Sequence, residues 1–478
     1  MKNSSKLSFT LLLAVLVIST SITICKGQGD SAVRMPIVIW GTDTGYKEIP
    51  FRDRVIGDTF IDSADCYRTR EARVYICLKD KRWRNIEKLD LFQLPAQTKI
   101  ITPEMYGAVQ LYKTHAQLGR NMNQLINLFG DTIKTLNLNN LADEDALRMC
   151  AAKAKYGWTC TFLSPGTYYI ENYGMVYPKG CNGRFQSLFL LQMNGAEIKV
   201  MGNKPLVVVG REDVGDIGEA NLYVNNAIIL SDGFITGNNK CLGFQPKYSY
   251  SSGLDNCFIN NCLWAGKFEF SLFSVVQRGN YTNNKNGFDV GPYRTKGWTI
   301  ANACSNSTSI DTRFYFADGD TAVKGDNVSG LTWSGICEGS ALKYGMTFDA
   351  PNATTVREVT IRNIHFEVEQ GAGSAFAKVR LREGTVIMDT FFGQYPATLL
   401  DAAGTTGIVS VVVKNIAYSV VPKLPARQFM NSGCSWTVEN HHGLNTSNFQ
   451  SFFGGTPVKL CPGLGAGLNC IQIINIPK

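Results

Sequence analysis

The stretch TIRNIHF, residues 360–366, gives the first view of how this chain is built. A β-branched Ile361 is followed two positions later by Asn363, inside a short strand-like run. Runs of similar shape are FITGNN (234–239), FINNC (258–262), TIANAC (299–304) and VVKNIAY (412–418). Four of the five share the apolar-x-Asn core: Ile259/Asn261, Ile300/Asn302, Ile361/Asn363 and Val413/Asn415. Further strands of this kind fall near Val276, Trp333 and Met388, so that the spacings from Ile235 onward are 24, 17, 24, 33, 28, 27 and 25 residues. A repeat of roughly 20–30 residues with one strand motif per unit marks a solenoid. In parallel coils each residue stacks on its counterpart one turn on. The apolar ladder then fills the interior, and Asn at the bend hydrogen-bonds to the next coil. The Asn residues are thus read as turn stacking, not catalysis. A propeller would show longer, more uniform repeats, and a sandwich would alternate strands with tight hairpins.

Upstream of the repeats, LADEDALRMCAAKAKYG (141–157) places Leu147, Cys150, Ala151 and Ala154 on one helical face. Asp143, Glu144 and Asp145 crowd the start of this helix, expected over 143–156, and Gly157 lies past its end, as caps and dipole prefer. A strand TCTFL and the turn SPGTYYI (164–170) follow. The order of MYGA (105–108), the helix and PGTYYI resembles the opening of pectate-lyase-like right-handed β-helix proteins, in which an FGA element, a capping helix and a PPGTY turn succeed one another. Segment 109–142 stands where that superfamily carries GDGVTDDT. The resemblance implies an all-β fold, a right-handed parallel β-helix over 98–478 with an N-terminal capping helix.

Residues 28–97 read as a small β module built on MPIVIW, RVIGDTFID, ARVYICLKD and RWRNIEKLDLF, with LPAQTKIITPE as linker. The stretch from GDTFID through RVYICLKDKRWRNI resembles a small β unit at the front of phage and Bacteroidetes-type surface proteins. Residues 1–27 begin with two lysines ahead of an apolar core from Phe9 to Ile18 and then small polar residues, the order of a cleaved secretory signal. That core is short for a membrane span, and no later segment is long and apolar enough for one. Ile24 argues against lipid attachment at Cys25, because such signals place a small residue there. The chain is therefore expected to be extracellular.

Charged residues are 18% and apolar residues 44% of the chain, so it can bury a large core. The net charge of +8 falls to about +5 beyond Gly27, a mild excess that suits a polyanionic surface but lacks the basic-aromatic runs of a nucleic-acid binder. Fourteen cysteines fit an oxidising compartment. Cys66 with Cys77 and Cys461 with Cys470 are the clearest candidate pairs; Cys150 with Cys160 and Cys257 with Cys262 are others. No Cys pair has zinc spacing with His nearby, and no metal or cofactor is expected. His441 and His442 read as loop residues. Asn-X-Ser/Thr acceptors stand at Asn280, Asn306, Asn327, Asn352 and Asn445.

The acid cluster FADGDTAVKGDN (316–327) is the best candidate for chemistry. In a strand, Asp318 and Asp320 would point the same way about 6.6 Å apart. Inverting glycosidases hold their two carboxyl groups about 6.5–9.5 Å apart. Asp326 reads as a turn residue. NNKNGFDVG (283–291) lies one coil before, GICEGSALKYG (335–345) one coil after, and AKVRLRE (377–383) two coils on. This succession resembles the polygalacturonase family and, more distantly, the dextranases on the same fold. Polygalacturonases carry N-T-D-G, G-D-D, G-H-G and R-I-K on successive coils. The resemblance puts Asn286 at the first acid, Asp320 and Asp318 at the double Asp, Gly339 at a glycine of the third element, and Arg380 and Arg382 at the basic pair. Here the first acid is Asn286, Gly319 splits the double Asp, and CEGS replaces the His element. A working site would be rebuilt from Asp289, Asp318, Asp320 and Glu338. Lys378, Arg380 and Arg382 would grip an acidic sugar, or else form a solvated face beside Glu367, Glu369 and Glu383. Trp298 and Trp333 would stack on sugar rings, or else pack between coils; Trp264 is a third tryptophan of this kind.

Three functions follow from these residues. The first is a glycosidase, expected to be monomeric, that hydrolyses a polysaccharide with paired Asp as general acid and base. The second is a non-catalytic adhesin or virion tail spike that binds a cell-surface glycan, expected to be trimeric. The third is a polysaccharide lyase.

Overall fold

The computed structural model describes residues 99–153, 159–176, 187–202, 208–209, 226–250, 252–272, 274–291, 307–326, 328–350, 357–370, 375–393, 398–405, 407–418, 428–441, 444–461 and 469–474, and of the first 98 residues the backbone of four strands. The chain divides into two units, 1–98 and 99–478. In the first unit, Val38–Gly41, Thr59–Asp62, Arg73–Cys77 and Trp83–Asn85 form one sheet in sequence order. Its first pair is parallel and the next two are antiparallel. Each strand overlaps one of the four runs marked by the sequence. The signal segment, Cys25, Cys66, Gly157, Trp298 and His442 lie outside the described residues.

The second unit is a parallel β-solenoid. Each coil runs along a first face, bends onto a second, and turns again onto a third. The strand Gly330–Ala350 traces this whole path. Residues 330–334 pair on the first face and 335–339 on the second, between Ser307–Phe316 and Arg357–Gln370. Residues 342–350 pair on the third face, between Gly319–Asp326 and Ala377–Leu381.

The interior of the first face is one column in register: Leu230, Leu254, Val276, Ile310, Trp333, Ile361, Met388, Val413 and Val438. All are buried. Val276, Trp333, Ile361, Met388 and Val413 are the later members of the sequence repeat. Ile259 belongs to a different column, on the second face, between Ile235 and Tyr281. Ile300 lies outside the described residues, and Ile310 holds the place in the column. The uneven early spacings thus come from reading two faces as one.

The bends separate the same way. Asn363, Asn415 and Asn440 lie between the first and second faces with φ of 52°, 53° and 51°. Asn tolerates this left-handed backbone better than most residues. Asn440 donates to Asn415 at 3.1 Å, and Asn415 donates to Asp389 at 2.9 Å. Asn239, Asn261 and Asn283 occupy the other bend, between the second and third faces, with φ of 66°, 54° and 54°.

The first coils are closed by helices α1 (Met122–Phe129) and α2 (Ala142–Lys153). Asn121 caps α1 by accepting from Gln124 N at 3.0 Å, and Leu125 and Phe129 bury beneath it. In α2, Leu147, Cys150 and Ala151 are buried as the periodicity requires. Its three acids are buried too. Asp143 accepts from Val109 N at 2.7 Å, Gln110 N at 3.0 Å and Tyr169 N at 3.3 Å. Glu144 accepts from Glu171 N, Asn172 N and Tyr173 N. Asp145 takes Arg148 at 2.6 Å, Asn140 at 3.0 Å and His115 at 3.4 Å. These carboxylates therefore tie α2 to the segments around it, beyond serving its dipole. Burial pushes Asp143 up and Glu144 to about 7, against the pull of the backbone N–H groups.

Cys461 and Cys470 form a disulfide, Cα to Cα 5.6 Å. Cys150, Cys160, Cys257 and Cys262 are free thiols, so the pairings of Cys150 with Cys160 and of Cys257 with Cys262 are not formed. Cys257 lies against the Leu230 carbonyl at 3.2 Å, and Cys262 lies beside Cys241. His441 is not a loop residue. It ends the strand Ser435–His441 and packs, buried, edge-on against Phe429 and Phe452, because the strand turns its ring into the interior.

Candidate functional site

The coil order expected around the acid cluster is present. Asn286–Gly291, Gly319–Asp326, the second half of Gly330–Ala350 and Ala377–Leu381 are successive strands of the third face. Parallel register then fixes what stands opposite each acid, one strand spacing of about 4.8 Å away.

Asp289 sits opposite Lys267 on one side and Lys324 on the other. Its carboxylate is 3.7 Å from Lys267 Nζ and 3.6 Å from Lys324 Nζ, and only 8% of its side chain is exposed. Asp318 does not share a strand with Asp320. It precedes the strand Gly319–Asp326, at the bend between the second and third faces, 83% exposed and 3.3 Å from Lys285. Asp320 is exposed at the start of that strand. Asp326 closes the strand opposite Asp349 and is half-buried, so it is not a turn residue.

Glu338 belongs to the second face, in register with Tyr315 and Glu367. Arg313 holds it at 2.6 Å. Asp289 stands opposite Lys324, which is four positions, or about 13 Å of strand, beyond Asp320. The four acids are thus spread over two faces and the bend between them, and Asp289, Asp318 and Glu338 are each held by a cation.

The basic residues follow the same rule. Lys378 and Arg380 both project from the third face, and Arg382 is exposed just past the strand Ala377–Leu381. Arg380 pairs with Asp349 on the neighbouring coil. Glu367 lies on the second face instead, with His365 Nε2 at 2.8 Å. Trp333 is not a sugar platform. It points inward, fully buried, stacked on Phe376 at 5.5 Å and edge-on to Phe314 at 6.3 Å. Its place in the repeat column is the sequence signal for this. Trp264 is half-buried on the third face, with Lys267 Nζ 5.7 Å from its ring centroid.

The second face carries a feature that sequence reasoning missed. Its outer positions form two columns in register. One runs Phe234, Phe258, Asn280, Arg313, Ile336, His365, Phe392. The other runs Asn260, Thr282, Tyr315, Glu338, Glu367. Phe234, Tyr315 and Phe392 are 41%, 42% and 45% exposed. Phe234 stacks on Phe258 at 5.0 Å, and His365 leans on Phe392 at 5.4 Å. The signal was present in the alternation of RFYF (313–316) and IHF (364–366), whose inner members Phe314 and Phe366 are buried while Arg313, Tyr315 and His365 reach solvent.

No family model matches the chain, and no curated protein matches it. Among solved structures, it is similar to PfbA, a surface adhesin of Streptococcus pneumoniae. The identity is 11% and the TM-score 0.34, over 79% of this chain and 91% of that one. It is also similar to ORF18 of Geobacillus virus E2. There the identity is 12% and the TM-score 0.29, over 92% of this chain and 73% of that one. Both likenesses are remote. Among the described residues no helix is long and apolar enough to cross a membrane.

Proposed function

We propose that this chain is a non-catalytic, surface-displayed glycan-binding protein whose ligand lies along the second face. The observation that carries the reading is the pair of outer columns on that face. Exposed rings at Phe234, Tyr315 and Phe392 share these columns with the polar pairs Arg313–Glu338 and His365–Glu367. Aromatic faces take the apolar C–H face of a sugar, and the polar neighbours take its hydroxyls. Because the columns repeat once per coil, they suit a repeating polymer better than a single small sugar. A secretory signal over residues 1–27 would put such a face outside the cell. A trimer is the assembly this reading expects.

The test is binding of the purified chain to a panel of cell-surface and plant polysaccharides, with light scattering for the assembly state. Tyr315→Ala and Phe392→Ala together should weaken binding about tenfold or more, as the loss of two ring contacts would. Asp320→Asn should leave it unchanged. Full binding by the double aromatic variant would refute the reading.

A hydrolytic second reading keeps one observation in its favour: Asp318 at a bend and Asp320 at the start of the next strand are both exposed, where a polysaccharide could reach them. Release of reducing ends that disappears in Asp320→Asn would establish it instead.

A further inference from the structure

The bend between the second and third faces brings two cysteines together from adjacent coils. Parallel backbone bonds hold the coils in register there: Gly237 N donates to Asn260 O at 2.8 Å, and Leu263 N donates to Cys241 O at 2.9 Å. Leu242 stands opposite Trp264, so Cys241 stands opposite Leu263, one residue past Cys262. The two thiols therefore meet on a diagonal, Sγ to Sγ 3.5 Å, both buried. Gly237 makes the room. A Cβ there would lie 2.6 Å from each sulfur and 2.5 Å from the Asn261 carbonyl oxygen.

The geometry points to Cys241 and Cys262 as an oxidation site that takes a coil-to-coil disulfide. Going from contact to a bond of about 2.05 Å takes about 1.5 Å of sulfur movement, within reach of small side-chain rotations. Both S–H bonds are lost and one S–S bond forms. The two electrons and the two protons pass to a thiol–disulfide oxidant, whose S–S bond breaks to give two thiols. The hydrogen bond shared by the two thiols brings Cys241 down to about 7 and sends Cys262 up, which supplies the thiolate that exchange needs. Cys257, set against carbonyl oxygens, is instead pushed up to about 12 by burial. The two cysteines follow Phe234 and Phe258 on their coils, so the bond would pin the two coils that carry the stacked ring pair.

The experiment uses the full chain, treated with oxidised glutathione until Cys461–Cys470 is closed. It is then alkylated under denaturing, non-reducing conditions and mapped as peptides. The expected result is a cross-linked peptide joining Cys241 to Cys262, lost on reduction, and a mass lower by two hydrogens for that link. Cys262 should become alkylated in Cys241→Ser. Alkylation of both cysteines in the unsubstituted chain, with Cys461–Cys470 closed, overturns the assignment. That mapping stands even where the serine variant fails to fold.

Discussion

The cap and the coil stack use carboxylates in opposite ways. In the cap, Asp143, Glu144 and Asp145 are fully buried, and Asp143 and Glu144 are met mainly by backbone N–H groups. On the coils, Asp289, Asp318 and Glu338 are met by side-chain cations presented from neighbouring coils or bends. The cap acids fasten one element to another. The coil acids balance charge on a repeating surface. An acid's role is therefore fixed by what the fold sets opposite it, and neighbouring acids in sequence say little about that.

Removing an acid from each place separates the two roles. Asp143→Ala leaves the amides of Val109, Gln110 and Tyr169 without their acceptor in a buried site. It should cost about 3–5 kcal/mol in denaturant unfolding. Glu144 adds a pH signature. Burial raises it from 4.5 to about 7, so between those values the folded chain keeps a proton that the unfolded chain has released. That stability is fully present below about pH 4.5 and is lost as the pH rises through about 7. The loss should amount to roughly 2–3 kcal/mol, and Glu144→Gln should flatten it in melts taken between those limits. Asp289→Ala leaves Lys267 and Lys324 facing one another, half-exposed, and should cost about 1–2 kcal/mol. Asp318→Ala, at an exposed bend, should change stability by less than about 0.5 kcal/mol. Equal costs at Asp143 and Asp318 would erase the distinction between cap and coil.

Much of the scaffold could be read from residue order. Ile361, Met388 and Val413 lie in one column because a stacked coil must return an apolar side chain to the interior once per turn. Asn363 and Asn415 mark the bend because Asn takes its left-handed backbone at low cost, although Asp232, Arg278 and Thr390 hold the same position on other coils. The candidate site was less legible. Asp318 and Asp320 looked like one strand pair, but Asp318 lies in the bend that precedes the strand of Asp320. Trp333 had the composition of a sugar platform and the spacing of a core residue, and the spacing was the better guide.

Periodicity and bend chemistry, both local properties, were enough to specify a parallel solenoid closed by an acid-rich helix. Register across coils came from the folded state. It set Lys267 and Lys324 on either side of Asp289, lined up Tyr315 with Glu338, and brought Cys241 to Cys262. Intervals of 22, 35, 23 and 21 residues separate those partners, so the repeat length alone does not say which side chains meet. The stacking of one coil on the next, which satisfies the backbone hydrogen bonds of both, is what fixes it.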